Sequence, residues 1–167
     1  MSERLQLLLL PVLLLACVVG CASDGIEVST TFDPLTQFPP QATFLWDDAA
    51  NRLPTDERIA ALDIEPRLKA ASEAEFALKG YRLATSGDPD FLLSYQLVVH
   101  SWIGADNSRS TASLSLLLTE AASARRVWLG FGRTEIQMQL PQDQREERLR
   151  VAVTKILANF PPGSGKK

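Results

Sequence analysis

Apolar and polar positions follow two different rhythms along the chain, and each rhythm predicts one type of secondary structure. In two segments, over 90–100 and 111–120, apolar residues recur at every second position, which places them on one face of a β-strand. These positions are Phe91, Leu93, Tyr95, Leu97 and Val99 in the first segment and Ala112, Leu114, Leu116 and Leu118 in the second. The pattern indicates a sheet with one covered face.

Two other segments repeat their apolar residues every three or four positions, which is the spacing of an amphipathic helix. The first lies between Pro66, suited to a first helical turn, and Gly80, suited to the position after the end. Its apolar face carries Leu68, Ala71, Ser72 and Phe76. The second covers 141–160, with an apolar stripe of Leu149, Ala152, Val153, Ile156, Leu157 and Phe160. Its mixed charges favour packing on a protein core over lying on a membrane.

Shorter apolar runs over 26–32, 42–46 and 126–138 complete the predicted elements, and the last forms a hairpin with 111–120. We therefore expect one α+β domain, with an antiparallel sheet of about four to five strands and two main helices packed on one face, in the order β-β-α-β-β-β-α. Segment 101–110 reads as a turn-rich connection. It carries Trp102 and Ile103, a candidate contact patch for a partner or for a membrane interface, although folding back onto the core is the alternative.

The start of the chain has a different pattern, because apolar residues run almost without interruption from Leu5 to Leu15. A short polar head with one basic residue precedes this run, as in a secretory signal peptide. A membrane-spanning helix needs about 20 apolar residues, and here the apolar segment ends at Cys21. A cleaved leader is therefore favoured over an uncleaved membrane helix.

The residues Val18-Val19-Gly20-Cys21 resemble the lipobox of bacterial lipoproteins. The resemblance implies cleavage after Gly20, diacylglycerol on the sulfur of Cys21, and a further fatty acyl chain, such as palmitate, on the new amino group. Two or three long chains would hold the protein on a membrane without spanning it. Ala22 stands where lipoproteins of the inner membrane often carry Asp, so the resemblance favours the periplasmic face of the outer membrane, with the inner membrane as the alternative.

These boundaries predict a leader over 1–20, a lipidated end and short tether over 21–25, the α+β domain over 26–161 and a polar tail over 162–167. About 146 residues follow Cys21, enough for one domain with its own core. The seven residues from Cys21 to Val28 span at most about 25 Å, which keeps the domain close to the bilayer. With Cys17 in the leader and Cys21 acylated, no disulfide or cysteine-metal site is expected.

Charge and residue types exclude several classes of function. The formal net charge is −3, with scattered lysines and arginines, so no nucleic-acid partner is expected. The best catalytic grouping would be Asp88, Asp90 and His100, the only histidine, yet about ten residues of strand separate the last two by roughly 33 Å. Asp47-Asp48 indicates a solvated turn. We therefore expect that the protein is not an enzyme and that it has no catalytic residue, no cofactor and no metal site.

Several motifs in one order resemble a known family. They are Lys79-Gly80-Tyr81-Arg82, the segment from Asp88 to Tyr95, Val127-Trp128-Leu129-Gly130, and the segment from Lys155 to Pro161. Together they are similar to bacterial lipoproteins that carry the domain of unknown function numbered 4136, over 26–161. The resemblance implies a fold and a location in the cell envelope, and no reaction.

The sequence thus predicts a membrane-anchored periplasmic lipoprotein that acts as a non-enzymatic binding or assembly module in the Gram-negative envelope. Its expected partners are the membrane, through the lipid on Cys21, and an envelope protein of unknown identity. The alternative is a structural envelope-integrity lipoprotein without a dedicated ligand, and an enzyme is the least favoured class.

Overall fold

A computed structural model describes residues 25–55, 62–85, 87–103, 108–137 and 139–161, with side chains described outside 101–109. The leader, Cys21 and the tail lie outside these residues. The elements are β1 (Glu27–Phe32), β2 (Thr43–Trp46), α1 (Ile64–Leu78), β3 (Arg82–Leu83), β4 (Phe91–Ile103), β5 (Ser108–Glu120), β6 (Arg125–Glu135) and α2 (Gln142–Leu157). Neither helix in the described ranges is long and apolar enough to cross a membrane.

The strands form one six-stranded mixed sheet in the order β1-β6-β5-β4-β2-β3. Neighbours from β1 to β4 are antiparallel, whereas β2 runs parallel to both β4 and β3. The predicted antiparallel sheet of about four to five strands was therefore wrong in strand number and in strand direction. The predicted element order was also wrong, because β3 adds a strand after α1.

The correction has a local physical cause at β3. This strand has only two residues, too few to show an alternating pattern, and its position is set by pairing with β2. The Arg82 N–H donates to the Ala42 carbonyl at 3.1 Å, and the Ala84 N–H donates to the Phe44 carbonyl at 2.7 Å. The helix α1 lies between β2 and β3 in the chain, and such a crossover allows two neighbouring strands to run in the same direction.

Strands β4 and β5 are longer than the sequence pattern indicated. Each has 13 residues, and they pair continuously from Phe91 opposite Glu120 to Ile103 opposite Ser108. Trp102 and Ile103 therefore belong to a strand, where a turn-rich connection was predicted. The long hairpin is the centre of the sheet.

Both helices supply the core on one face of this sheet. The predicted inward positions Phe91, Leu93, Tyr95, Leu97, Leu114, Leu116 and Leu118 are all buried. Helix α1 contributes Leu68 and Phe76, and α2 contributes Val153, Ile156 and Leu157, each fully buried. The opposite face carries small hydroxyl residues such as Ser113 and Ser115, which face away from the core by strand alternation.

Candidate functional site: an apolar cavity

A cavity of about 160 Å³ lies between the sheet and the two helices. The sheet side is formed by β4, β5 and β6 through Leu97, Val99, Ala112, Leu114 and Gly132. The helix side is formed by Ile64, Leu149 and Ala152, and Ile26, Leu62 and Ile136 line it from flanking segments. These lining groups are apolar and the cavity is partly open to solvent. The cavity can therefore receive an apolar group and exclude water from it.

Small residues create this space. The covered face of β5 carries Leu118, Leu116 and Leu114 at one end and the small Ala112 at the other, where Gly132 of β6 also lines the cavity although Ile156 packs against it. Large side chains thus fill one end of the sheet, and small ones leave the other end open. Ala152 of α2 lies over the same open end.

The filled end is an aromatic cluster around Phe160. Its ring centroid lies 5.1 Å from those of Phe76, Tyr81 and Trp128, and 5.4 Å from that of Phe38. Tilted and edge-on contacts of this kind are favourable beyond their buried area. The core is therefore densely packed at one end and hollow at the other.

Charged side chains surround the hollow end. The helices contribute Arg67, Arg145, Arg148 and Glu146 to its lining, whereas Arg133 and Glu135 of β6 alternate with Gly132 and Thr134 and so face away from the helices. One ion pair bridges the two helices, with Arg67 Nη2 3.3 Å from Glu146 Oε1. Arg67 and Glu146 are about a third and two-fifths exposed, which marks this side as the solvent side.

Hydrogen bonds hold the rim arginines in place. Arg67 donates to the Leu62 carbonyl at 2.9 Å, Arg145 donates to the Leu140 carbonyl at 2.6 Å, and Arg148 donates to the Thr134 hydroxyl at 3.0 Å. A guanidinium has five N–H donors, so Arg148, which uses one on the Thr134 hydroxyl, has donors for a ligand. The rim is thus positively charged and positioned by the fold.

The predicted catalytic candidates are not brought together. Asp90 lies just before β4, where its carboxylate accepts the Thr43 N–H at 2.7 Å and the Thr43 hydroxyl at 2.8 Å. These hydrogen bonds hold the pKa of Asp90 below its usual value. His100 is exposed near the other end of β4, opposite Thr111. Asp90 therefore links the starts of two strands and has no contact with the histidine's end of the sheet.

The paired carboxylates Asp47 and Asp48 form a turn, as predicted. Asp47 accepts the Ala50 N–H at 3.2 Å, and Asp48 accepts from Lys69 at 2.7 Å. The Lys69 ammonium also lies 5.6 Å from the ring centre of Trp46. Burial acts to lower the pKa of Lys69, but its bonds to Asp48 and Glu65 raise it overall.

The glycines Gly130 and Gly132 are explained by close packing. A Cβ on Gly130 would overlap the Trp128 ring, and one on Gly132 would lie 2.8 Å from Cδ1 of Ile156. Neither glycine opens a helix, so neither belongs to a phosphate-binding loop.

Two predicted sites remain predictions. Cys21, the expected lipidation site, lies outside the described residues. The side chains of Trp102 and Ile103 are likewise outside them, so the contact patch is untested. Within the part of the chain that the structure covers, no three His, Cys, Asp or Glu residues cluster as a metal site would require.

The cavity itself was not predicted from the sequence. One feature of the sequence could have indicated it. The inward positions of β5 are leucines except for Ala112 at one end, and Ala112 lies near Gly132 of the neighbouring strand. Each residue alone reads as ordinary core. Only the strand register shows that small residues on β5, β6 and α2 face the same space.

These features define a small α+β domain whose two helices cover one face of a mixed sheet and enclose an apolar cavity. The chain belongs to the family described as "Domain of unknown function (DUF4136)", whose model matches residues 28–162. The match confirms the family resemblance seen in the sequence motifs. No curated protein matches the chain.

Solved structures share the fold at low sequence identity. The PelC dodecamer from Paraburkholderia phytofirmans is 12% identical with a TM-score of 0.53, over 80% of this chain and 96% of that one. A PDZ domain protein from Parabacteroides distasonis is 15% identical with a TM-score of 0.54, over 82% of this chain and 36% of that one. At these identities the likeness concerns the fold alone.

Proposed function

We propose that this protein is a lipid-anchored, non-enzymatic binding module at the periplasmic face of the Gram-negative outer membrane, and that the apolar cavity is its binding site. The observation that carries the proposal is the cavity of about 160 Å³ with its arginine-rich rim. An apolar space with a few polar groups at its opening is the usual form of a small-molecule site.

The sequence before the domain supports the anchoring. Cys21 follows the apolar leader directly, and Ile26, which lines the cavity, is the fifth residue after it. Five extended residues span at most about 18 Å. A domain tethered in this way would keep the cavity close to the lipid surface.

The described side chains favour binding over catalysis. Among the residues lining the cavity, the Thr134 hydroxyl accepts a hydrogen bond from Arg148 and Glu146 is paired with Arg67, and no histidine lies beside either to act as a base. His100 lies on the strand face opposite to that of Val99, which lines the cavity. We propose that the cavity holds its ligand unchanged.

The anchor is tested by Cys21→Ser with Cys17→Ser as the matched control. We expect Cys21→Ser to abolish incorporation of radiolabelled palmitate and to leave an unprocessed precursor, because no thioether can form. Cys17→Ser changes only the leader and should be processed normally. Unchanged labelling and intact mass in Cys21→Ser would overturn the anchoring.

The binding site is tested by native mass spectrometry of protein released gently from membranes. We expect a bound small molecule in the wild type that is lost in Ala112→Phe, whose ring would fill the cavity. Ser113→Phe, on the opposite face of the same strand, is the matched control and should retain the ligand. No bound molecule in the wild type, or equal retention in both variants, would contradict the proposed site.

Self-assembly is a second candidate function, favoured by the position of β1 at the edge of the sheet formed by the described strands. This edge strand exposes Val28 and Phe32, at 42% and 49% of their surfaces, and the PelC structure with the same fold is a dodecamer. Crosslinking in membranes followed by mass spectrometry tests it. Self-crosslinks that disappear in Phe32→Glu would support assembly, one stoichiometric envelope partner would support a heterologous module, and diffuse neighbours would support the structural alternative.

A further inference from the structure

We infer that the cavity binds the alkyl chain of a single-chain amphiphile with an anionic head group, of which a fatty acid is the simplest example. The inference rests on the proposed function and specifies the chemistry of its ligand. The alkyl chain would enter between the sheet and the helices, and the head group would remain at the arginine rim.

The volume of the cavity suits one chain. Engineered protein cavities of about 150 Å³ with apolar walls stay dry and bind benzene. A cavity of about 160 Å³ lined by leucine, isoleucine, valine and alanine side chains therefore has room for part of one alkyl chain. Two chains side by side would not fit, which disfavours the double-chain end of a phospholipid.

The charge at the opening selects an anion. From the two helices, three arginines (Arg67, Arg145 and Arg148) and one glutamate (Glu146) line the opening. Arg145 and Arg148 extend from the same face of α2 as Leu149 and Ala152, which form the apolar roof. Guanidinium groups form strong, geometrically defined hydrogen bonds with carboxylates and phosphates. An amphiphile would thus place its alkyl chain against the apolar lining and its anionic head group against the arginines.

The position of the cavity near the membrane would give it access to such a ligand. Ile26 lines the cavity five residues after Cys21, so a tethered domain would hold the cavity within about 18 Å of the lipid surface. Single-chain amphiphiles partition into bilayers and leave them readily, because one chain binds only marginally. A cavity near the surface can compete with the bilayer for such a molecule.

The experiment uses the full mature lipoprotein in nanodiscs of phosphatidylcholine. The probe is a fatty acid with a photoreactive diazirine in its chain, and peptide mass spectrometry locates the label. We expect labelling of cavity residues such as Leu97, Leu114 and Leu149, with competition by unlabelled fatty acid. Ala112→Phe should reduce the labelling at least tenfold, and Ser113→Phe should not.

The rim is tested separately with a neutral probe. Arg148→Gln together with Arg145→Gln should weaken binding of the carboxylate probe about tenfold, since charge-assisted hydrogen bonds are lost. Binding of the methyl ester of the same probe should be unchanged. Arg150→Gln is the matched control, because Arg150 lies on the same helix but is paired with Glu147 outside the cavity.

Three results would overturn the inference. Equal labelling by the ester and the acid would contradict the preference for an anionic head group. Labelling only by a diazirine phosphatidylglycerol would contradict the preference for a ligand with a single alkyl chain. No cavity labelling in the wild type, with a ligand of other chemistry seen by native mass spectrometry, would contradict the inference but leave the proposed function standing. The absence of any cavity ligand would contradict both.

Discussion

Gly130 shows how one residue determines the packing at the centre of the covered face. A methyl group there would overlap both the Trp128 ring and Cγ2 of Ile156, which are about fully buried. A methyl group on Gly132 would meet Cδ1 and Cγ1 of Ile156 at 2.8 and 2.9 Å, which is a less severe overlap than at Gly130. A larger residue should therefore reduce the stability of the protein more at Gly130 than at Gly132, although the sequence alone does not distinguish the two glycines.

We expect Gly130→Ala to lower the free energy of unfolding by about 1–3 kcal/mol, because an overpacked core must shift. Gly132→Ala is the matched variant and should cost less than about 1 kcal/mol, since Ile156 can change its side-chain conformation. Urea unfolding followed by circular dichroism measures both. Equal stability of the two variants would contradict the packing seen around Gly130.

Tyr81 offers a second residue-scale prediction. Its hydroxyl is buried and has no hydrogen-bond partner among the described residues, and desolvation raises its pKa to about 12. Because the folded state favours the neutral phenol, stability is complete below the unfolded pKa of about 10 and falls as the pH rises through the folded value.

We therefore expect the wild type to lose stability relative to Tyr81→Phe between about pH 10 and pH 12, and to match it or be slightly less stable near neutrality. Thermal unfolding of both proteins across this range is the measurement. Parallel curves with no divergence at high pH would show that the phenol ionises as easily when folded.

At the scale of elements, Phe160 connects the end of α2 to the rest of the core. It is fully buried and contacts aromatic rings from the β1–β2 connection, from α1, from the segment after α1 and from β6. The apolar stripe of the sequence identified Phe160 as a core residue of the last helix. The stripe could not identify its partners, because those partners are distant in the chain.

We expect Phe160→Ala to destabilise the protein by about 3–5 kcal/mol through the cavity it leaves. The control is Leu78→Ala at the end of α1, where the side chain is 82% exposed and little burial is lost. Denaturant unfolding compares the two variants. A small effect of Phe160→Ala would mean that the aromatic cluster is dispensable.

The secondary-structure elements also show which parts of the fold the sequence pattern could predict. Helices α1 and α2 and the strands of the central hairpin were predicted, since each is long enough to repeat its apolar period several times. Strand β3 was missed because Arg82 and Leu83 form no repeat, and the parallel direction of β2 was missed because pairing partners are not encoded in local periodicity. Short elements depend on neighbours for their backbone hydrogen bonds.

At the scale of the whole molecule, stability should be unevenly distributed over the sheet. The 13-residue pairing of β4 with β5 lies at its centre, whereas the two-residue strand β3 forms one edge. The central strands are hydrogen-bonded on both sides and covered by two helices. Local opening should therefore begin at the β3 edge.

Hydrogen exchange of backbone amides measures this distribution. We expect the slowest exchange between Leu93 and Leu97 and in the facing stretch from Leu114 to Leu118, and exchange several-fold faster at Arg82. Uniform protection from centre to edge would instead indicate that the sheet opens only by global unfolding.

The sequence by itself determined the apolar leader and Cys21, the helix and strand periods, the family motifs and the absence of a basic patch, because each is a local pattern or a sum over residues. Only the tertiary structure decided the mixed sheet and the cavity. Ala112 and Ala152 lie on two elements far apart in the chain, and they leave a shared space only because helix packing brings them to the same end of the sheet. A cavity is a property of the packing between elements, so no single segment encodes it.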